Sequence, residues 1–215
     1  MDDEMLVKLA DKTLTKHGLH QRVEQDFGLL PVLLEGTCSS EAAVRYGCAK
    51  VLMDLSDDHP EKLYPHMDAF IKLLDSKYRI LTWNALAIIA NLAKVDMDKK
   101  FDAVFDKYYG FLGNEYMVTV ANTVGNSGKI ALAKPYLIPR ITAELLKVEQ
   151  VSVTPHLSEE CKRVIAESAV KTFDLFFDKL DEKEKKKVLS FVERQLGSSR
   201  KTLNTKAKDF LEKWR

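Results

Sequence analysis

The sequence is poor in the residues that punctuate chains. It has 9 glycines and 6 prolines in 215 residues. An all-β fold needs a turn every few residues and draws on these types for it, so scarcity argues against one. Cysteine is scarcer still, at 3. Cys38, Cys48 and Cys161 are odd in number and none has Cys-x-x-Cys spacing, which excludes a disulfide framework and points to a reducing compartment. No stretch reaches the roughly 18 consecutive apolar residues needed to cross a bilayer. The opening Met-Asp-Asp-Glu lacks the basic flank and apolar run of a secretory signal. The expected location is cytoplasmic, with no membrane partner. Net charge is nearly absent too, at +1, so no global field draws the chain to a polyanion.

What is present is helix-forming and core-forming. Hydrophobic residues make up 46% of the chain, enough for a packed core, and charged residues 30%. The balanced charge hides a gradient: residues 1–60 carry a net −5, residues 61–178 balance, and residues 179–215 carry +6. A basic end of this kind offers a contact for an acidic partner, although interspersed Lys and Glu are also the usual covering of exposed helices.

The strongest signal is a recurrence. Ala49, Ala85 and Ala121 stand 36 residues apart, each within an apolar helical stripe. Tyr64 and Tyr136 are separated by twice that period, as are Leu73-Leu74 and Leu145-Leu146. A fixed period in this range signifies stacked helix pairs, because one pair cannot bury its apolar face alone. The expectation is an all-α chain, an α-α superhelix of about five helix pairs over residues 1–215. Residues 1–40 form N-terminal capping helices and residues 181–215 basic C-terminal capping helices. Within it, the patterns predict helices at 3–16 (closed by Gly18), 41–55, 61–74, 78–93, 100–112, 115–129, 135–147, 158–179 and 182–196. Pro31 should interrupt the preceding helical stretch. Ser158 is placed to cap a helix, and Asp181 with Glu184 has capping-box spacing. In the last helix, Leu203, Ala207, Phe210, Leu211 and Trp214 share one face, so Trp214 should be buried.

Val44-Arg45 followed by Cys48-Ala49, Leu52 and Leu55 resembles the second helix of a HEAT unit. Leu73-Leu74-Asp75 ahead of Ile80 and Ala85 is similar to the turn inside such a unit. The chain is thus similar to HEAT/armadillo-like repeat proteins over roughly residues 30–215. It departs from them twice: Ala169 follows Ala121 by 48 residues, implying an insertion, and Leu81 and Met117 stand where Arg45 would recur.

Catalytic signals are sparse. His17 and His20 straddle an expected helix end with no third ligand nearby, so no metal site is expected. Cys161 near a helix start, five residues after His156, forms an incomplete nucleophile pair without an orienting group. Gly125 and Gly128 lack the strand that precedes a phosphate loop, so close helix packing or a helix end is their expected role. No cofactor is expected. The better candidate is a surface. Positions opposite the apolar stripe on successive second helices include Trp83; then Thr119, Thr123 and Asn126; and, in the fourth repeat, Lys171. The resemblance implies a non-catalytic scaffold that binds a protein or peptide on such a surface. The alternative is nucleic-acid binding through the basic C-terminal helices, including an enzyme similar to the HEAT-like alkylation-repair DNA glycosylases, which use a Trp and an Asp on a basic face. After Trp83 the next aspartate is Asp96.

Overall fold

The structure, a computed structural model, describes residues 2–215, with side chains from Glu4 onward. No strand occurs among the described residues; an isolated bridge joins Thr154 and Leu157. The chain divides into two compact units, Met1–Asp102 and Ala103–Arg215.

The first unit holds α1 (Asp2–Ala10), α2 (Lys16–Gln25), α3 (Leu30–Gly36), α4 (Ala42–Asp58), α5 (Pro60–Leu63), α6 (Met67–Leu73) and α7 (Arg79–Leu92). α4 and α7 pack along each other, and the shorter helices lean on them. Leu52, Leu55, Leu63, Phe70, Ile88 and Ile89 are fully buried there. The junctions differ from the sequence expectation at two points. The first helix stops at Ala10, the chain reverses through Lys12 (φ 66°), and Thr15 starts a new helix by accepting the amide of Gly18 at 3.0 Å. Gly18 therefore opens a helix rather than closing one. Pro31 interrupts nothing: it sits in the first turn of α3, where a missing N–H costs nothing.

The chain continues with α8 (Lys100–Gly110), then α9 (Met117–Ala133), α10 (Ile138–Leu146), α11 (Glu159–Asp174), α12 (Glu182–Gln195) and α13 (Lys201–Trp214). In the second unit α9 packs on α11, and α11 on α13. Both expected caps form. The amide of Cys161 donates to Ser158 Oγ at 3.3 Å, and that of Glu184 to Asp181 Oδ1 at 2.7 Å, with the reciprocal Asp181 amide to Glu184 Oε2 at 3.4 Å. α9 runs past Gly125 and Gly128 to Ala133, so these glycines lie inside a helix. Gly128 sits at a close contact, where a Cβ would stand 2.5 Å from Leu175 Cδ1, whereas a Cβ on Gly125 would meet only Ser168 Oγ, at an ordinary 3.6 Å.

The register of the repeat carries one correction. Ala49, Ala85 and Ala169 are buried, but Ala121 is half-exposed. Counted from the N-cap residues Tyr78 of α7 and Tyr116 of α9, the buried counterpart of Ala85 is Thr123, 38 residues on. The inferred insertion is real. It comprises a 3₁₀ turn, Lys147–Gln150, and an irregular segment through Ser158. That segment is fastened by Thr154 Oγ1 donating to the Glu115 carbonyl at 2.9 Å, and by His156 stacking on Tyr116 with centroids 4.5 Å apart.

Candidate partner-binding surface

The two-residue slip between Ala121 and Thr123 turns the α9 surface by about 160°. Thr119 (2% exposed) and Thr123 (0%) consequently lie inside the packing and offer no face to a partner. A buried hydroxyl needs an acceptor, and the helix itself supplies one. Thr123 Oγ1 donates to the Thr119 carbonyl at 3.0 Å, and Ser127 Oγ to the Thr123 carbonyl at 2.7 Å. Asn126 is half-exposed, and Lys171 is exposed. Trp83 belongs to the first unit and is half-buried on α7, a helix with ten of its fourteen residues buried and little free face. Thr119, Thr123, Asn126 and Lys171 belong to the second unit.

The outward stripe of α9 is Val118, Asn122, Gly125, Lys129 and Leu132, spaced four and three as a helix face requires. Asn122 Nδ2 donates to the Val118 carbonyl at 2.8 Å and Asn126 Nδ2 to the Asn122 carbonyl at 2.9 Å. This leaves both amide oxygens available as acceptors. α11 lies close alongside, where Gly128 presents no side chain and Thr172 Oγ1 donates to the Val124 carbonyl at 3.1 Å. Its outward residues are Ser168 and Lys171, with Leu175 (52% exposed) just past its end. On α13 the corresponding residues are Lys206, Asp209 and Lys213.

Between α11 and α13 the surface dips into a pocket of about 340 Å³. Buried Val170 and Phe210 contribute its apolar part, and Lys171, Lys206 and Lys213 its cations. Each lysine has a carboxylate neighbour: Glu167 at 2.6 Å, Asp209 at 3.3 Å and Asp174 at 2.8 Å. Asp174 also accepts Trp214 Nε1 at 2.6 Å. Trp214 is half-buried, less than its stripe position implied, with its ring 5.1 Å from that of Phe177. Glu167 is the electrostatic centre. It accepts Lys171 Nζ at 2.6 Å, Arg200 Nε at 2.8 Å and Thr202 Oγ1 at 2.6 Å. Burial alone would raise its carboxyl, but hydrogen bonds from Lys171, Thr202 and Arg200 outweigh burial and hold it down at about 2.

Several sequence candidates are committed elsewhere. Asp96 is 7% exposed, and its carboxylate accepts Tyr64 Oη and the amides of Lys100 and Phe101 at 2.8, 2.8 and 2.9 Å. It fastens a turn. His156 lies on Tyr116, and Cys161 receives a 3.3 Å contact from Ser158 Oγ. His20 contacts Glu24 at 3.3 Å, and among the described residues no group of three or more His, Cys, Asp or Glu is arranged to hold a metal. No described helix is long and apolar enough to cross a membrane.

No family model matches the chain, and no curated protein matches its sequence. Solved structures do. The designed armadillo repeat protein YIII(Dq)4CqI is 18% identical with a TM-score of 0.63, over 98% of this chain and 92% of its own. A second, YIII(Dq.V1)4CPAF, solved in complex with the peptide (KR)4, is 17% identical with a TM-score of 0.65, over 98% and 91%. A computationally designed armadillo repeat protein for modular peptide recognition is 18% identical with a TM-score of 0.63, over 96% and 89%. The chain therefore has the all-α, helix-pair repeat fold of the armadillo-like proteins.

Proposed function

We propose that this is a non-catalytic binding module whose outward α9–α11–α13 surface docks a segment of another protein. The pocket between α11 and α13 carries the reading: an apolar floor of Val170 and Phe210 lies beneath three lysines that stay about half exposed beside their carboxylate partners, Asp174 and Asp209 among them, and this suits an apolar side chain with an acidic neighbour. Asn122 and Asn126 add acceptors that a peptide backbone N–H can use. The fold supports the same reading, since one of the similar designed proteins was solved with a peptide bound. The cytoplasmic location expected from cysteine usage belongs to the proposal.

The test is selection of a displayed random-peptide library on the chain, followed by affinity measurements on variants. Enriched peptides should combine an apolar residue with Asp or Glu, and Lys171→Glu or Leu175→Asp should weaken them by about tenfold or more, the equivalent of ~1.4 kcal/mol. Peptides whose affinity ignores both substitutions would put the docking surface elsewhere.

A further inference from the structure

The first unit holds a pocket of about 460 Å³ where the reversal after α1 meets the first turns of α2 and α4. This is within the usual size of small-molecule sites. Leu9, Leu14, Tyr46 and the methyl groups of Ala42 and Ala43 make its walls largely apolar. Its charged groups are Lys12 and Lys16. Both are exposed, and neither has an ion pair to a described residue. No carboxylate or side-chain amide lines the pocket.

The backbone adds to the positive charge. In α2, Thr15 Oγ1 accepts the Gly18 amide at 3.0 Å, which leaves the amides of Lys16 and His17 without an intrahelical acceptor. In α4 the side chain of the N-cap residue Glu41 caps nothing, so the amides of Ala42 and Ala43 lack an acceptor too. Each helix start carries about half a positive charge. Three residues on from Ala42, Arg45 is buried with no carboxylate partner among the described residues. Its guanidinium meets only the carbonyls of Ser39 and Ser40, at 2.7 and 3.0 Å, and the rings of Tyr78 and Tyr46, and its Nε has no hydrogen-bond partner. Buried charges are ordinarily paired, so this one leaves the start of α4 electropositive. Nearby negative groups are already engaged. Asp11 accepts the Thr13 amide at 2.8 Å and its hydroxyl at 2.6 Å, and the Val7 and Lys8 carbonyls at the end of α1 accept the amides of Asp11 and Leu14. Glu41 is exposed and does not line the pocket.

Apolar walls, cations and free donors, with no carboxylate or amide acceptor, fit a ligand that is apolar at one end and anionic at the other. A peptide would bring backbone N–H groups that these walls leave unpaired, whereas a hydrocarbon acid brings none. We propose that this pocket binds a small hydrocarbon carboxylate, its chain against Leu9, Leu14 and Tyr46 and its carboxylate at Lys12, Lys16 and the two helix starts. Titration calorimetry and amide chemical-shift mapping on the full chain test this with octanoate, with 1-octanol as the uncharged control and acetate as the control without a chain. Octanoate should bind saturably, with shifts at Lys16, His17, Ala42 and Ala43, and at least about tenfold more tightly than either control. Lys12→Met combined with Lys16→Met should weaken it by about tenfold or more. Ala43→Phe, which fills the pocket from an exposed position, should abolish binding with both lysines in place. Circular dichroism melts confirm that each variant is folded. Octanoate that does not saturate, 1-octanol binding equally well, shifts confined to α11 and α13, or an affinity unchanged by the lysine pair or by Ala43→Phe would overturn the proposal.

Discussion

Glu167 ties α11 to the start of α13, and replacing it by glutamine should destabilise the second unit by about 2 kcal/mol. The magnitude follows from its carboxyl, which titrates near 2 in the folded protein against an ordinary 4.5. At about 1.4 kcal/mol per tenfold, that gap is roughly 3 kcal/mol of stability. Lys171 is 54% exposed, so solvent screens part of it and about 2 kcal/mol is the working figure. The sign is fixed by linkage. A carboxyl whose folded pKa is depressed contributes fully above 4.5, and the contribution is lost as the pH falls toward 2. More than half should be gone by about pH 3. In the Glu167→Gln variant the side chain has no charge to lose. Urea unfolding at neutral pH and at about pH 3 therefore reads both effects. Wild type should exceed Glu167→Gln clearly at neutral pH, and the gap should shrink in acid. An equal gap under the two conditions would show that the Lys171, Arg200 and Thr202 contacts do not hold the carboxylate, and the reasoning would fail.

Other consequences concern packing. Gly36→Ala should cost about 1–3 kcal/mol, because its Cβ would stand 2.6 Å from the sulfur of fully buried Cys48. Gly128→Ala should be neutral or stabilising by up to about 1 kcal/mol, since the obstructing Leu175 methyl belongs to a half-exposed side chain and alanine favours the helix; a larger loss for Gly128 than for Gly36 in chemical denaturation would refute the distinction. Ser56→Ala should cost about 1–2 kcal/mol by denaturant melt, because Asn91 Nδ2 donates to the buried Ser56 hydroxyl at 2.9 Å. Trp214→Ala should cost about 2–3 kcal/mol through lost contact with Phe177 and Phe210 and the lost bond to Asp174; an unchanged midpoint would show that the last turn of α13 frays.

Helices, caps and the insertion are legible in the sequence because each depends on local rules. Asp181 and Glu184 cap the same turn wherever the helix is packed, and the 48-residue interval after Ala121 announces extra chain whatever its shape. The proposed docking face is harder to read, because it depends on register. Ala121 is apolar and Thr123 polar, so the recurrence of alanine selects Ala121, and aligning it in place of Thr123 exchanges a buried side for an exposed one. No local rule corrects this, since Thr119 and Thr123 are polar and read as surface until their hydroxyls are seen on helix carbonyls. Lys171 emerges despite the slip. Its partner Glu167 lies four residues earlier, a pairing readable in sequence, but the second tie of Glu167, to Arg200, spans 33 residues and is not.

The basic C-terminal segment shows how a composition signal divides once the structure is known. Its arginines face inward electrostatically. Arg194 grips Glu149 through two bonds at 2.8 and 2.7 Å, Arg200 bridges Glu160 and Glu167, and Arg215 pairs with Glu193. Lys183, Lys186, Lys187, Lys201 and Lys208 are exposed, with no ion pair to a described residue. The positive charge of residues 179–215 that has no ion-pair partner among the described residues is thus carried by lysine. Planar guanidinium forks are what give phosphate and base-edge contacts their geometry, and here those forks are committed to internal carboxylates. Lysine ammonium groups on exposed helix faces attract any polyanion through a screened, non-directional field. The C-terminal charge without ion-pair partners is therefore a screened, non-directional field of ammonium groups. The adjoining α11–α13 pocket differs in shape rather than in pairing: its three lysines are carboxylate-paired as well, but they stand around an apolar floor of Val170 and Phe210, so that charge is joined to shape, the combination on which the proposed docking of a protein segment depends.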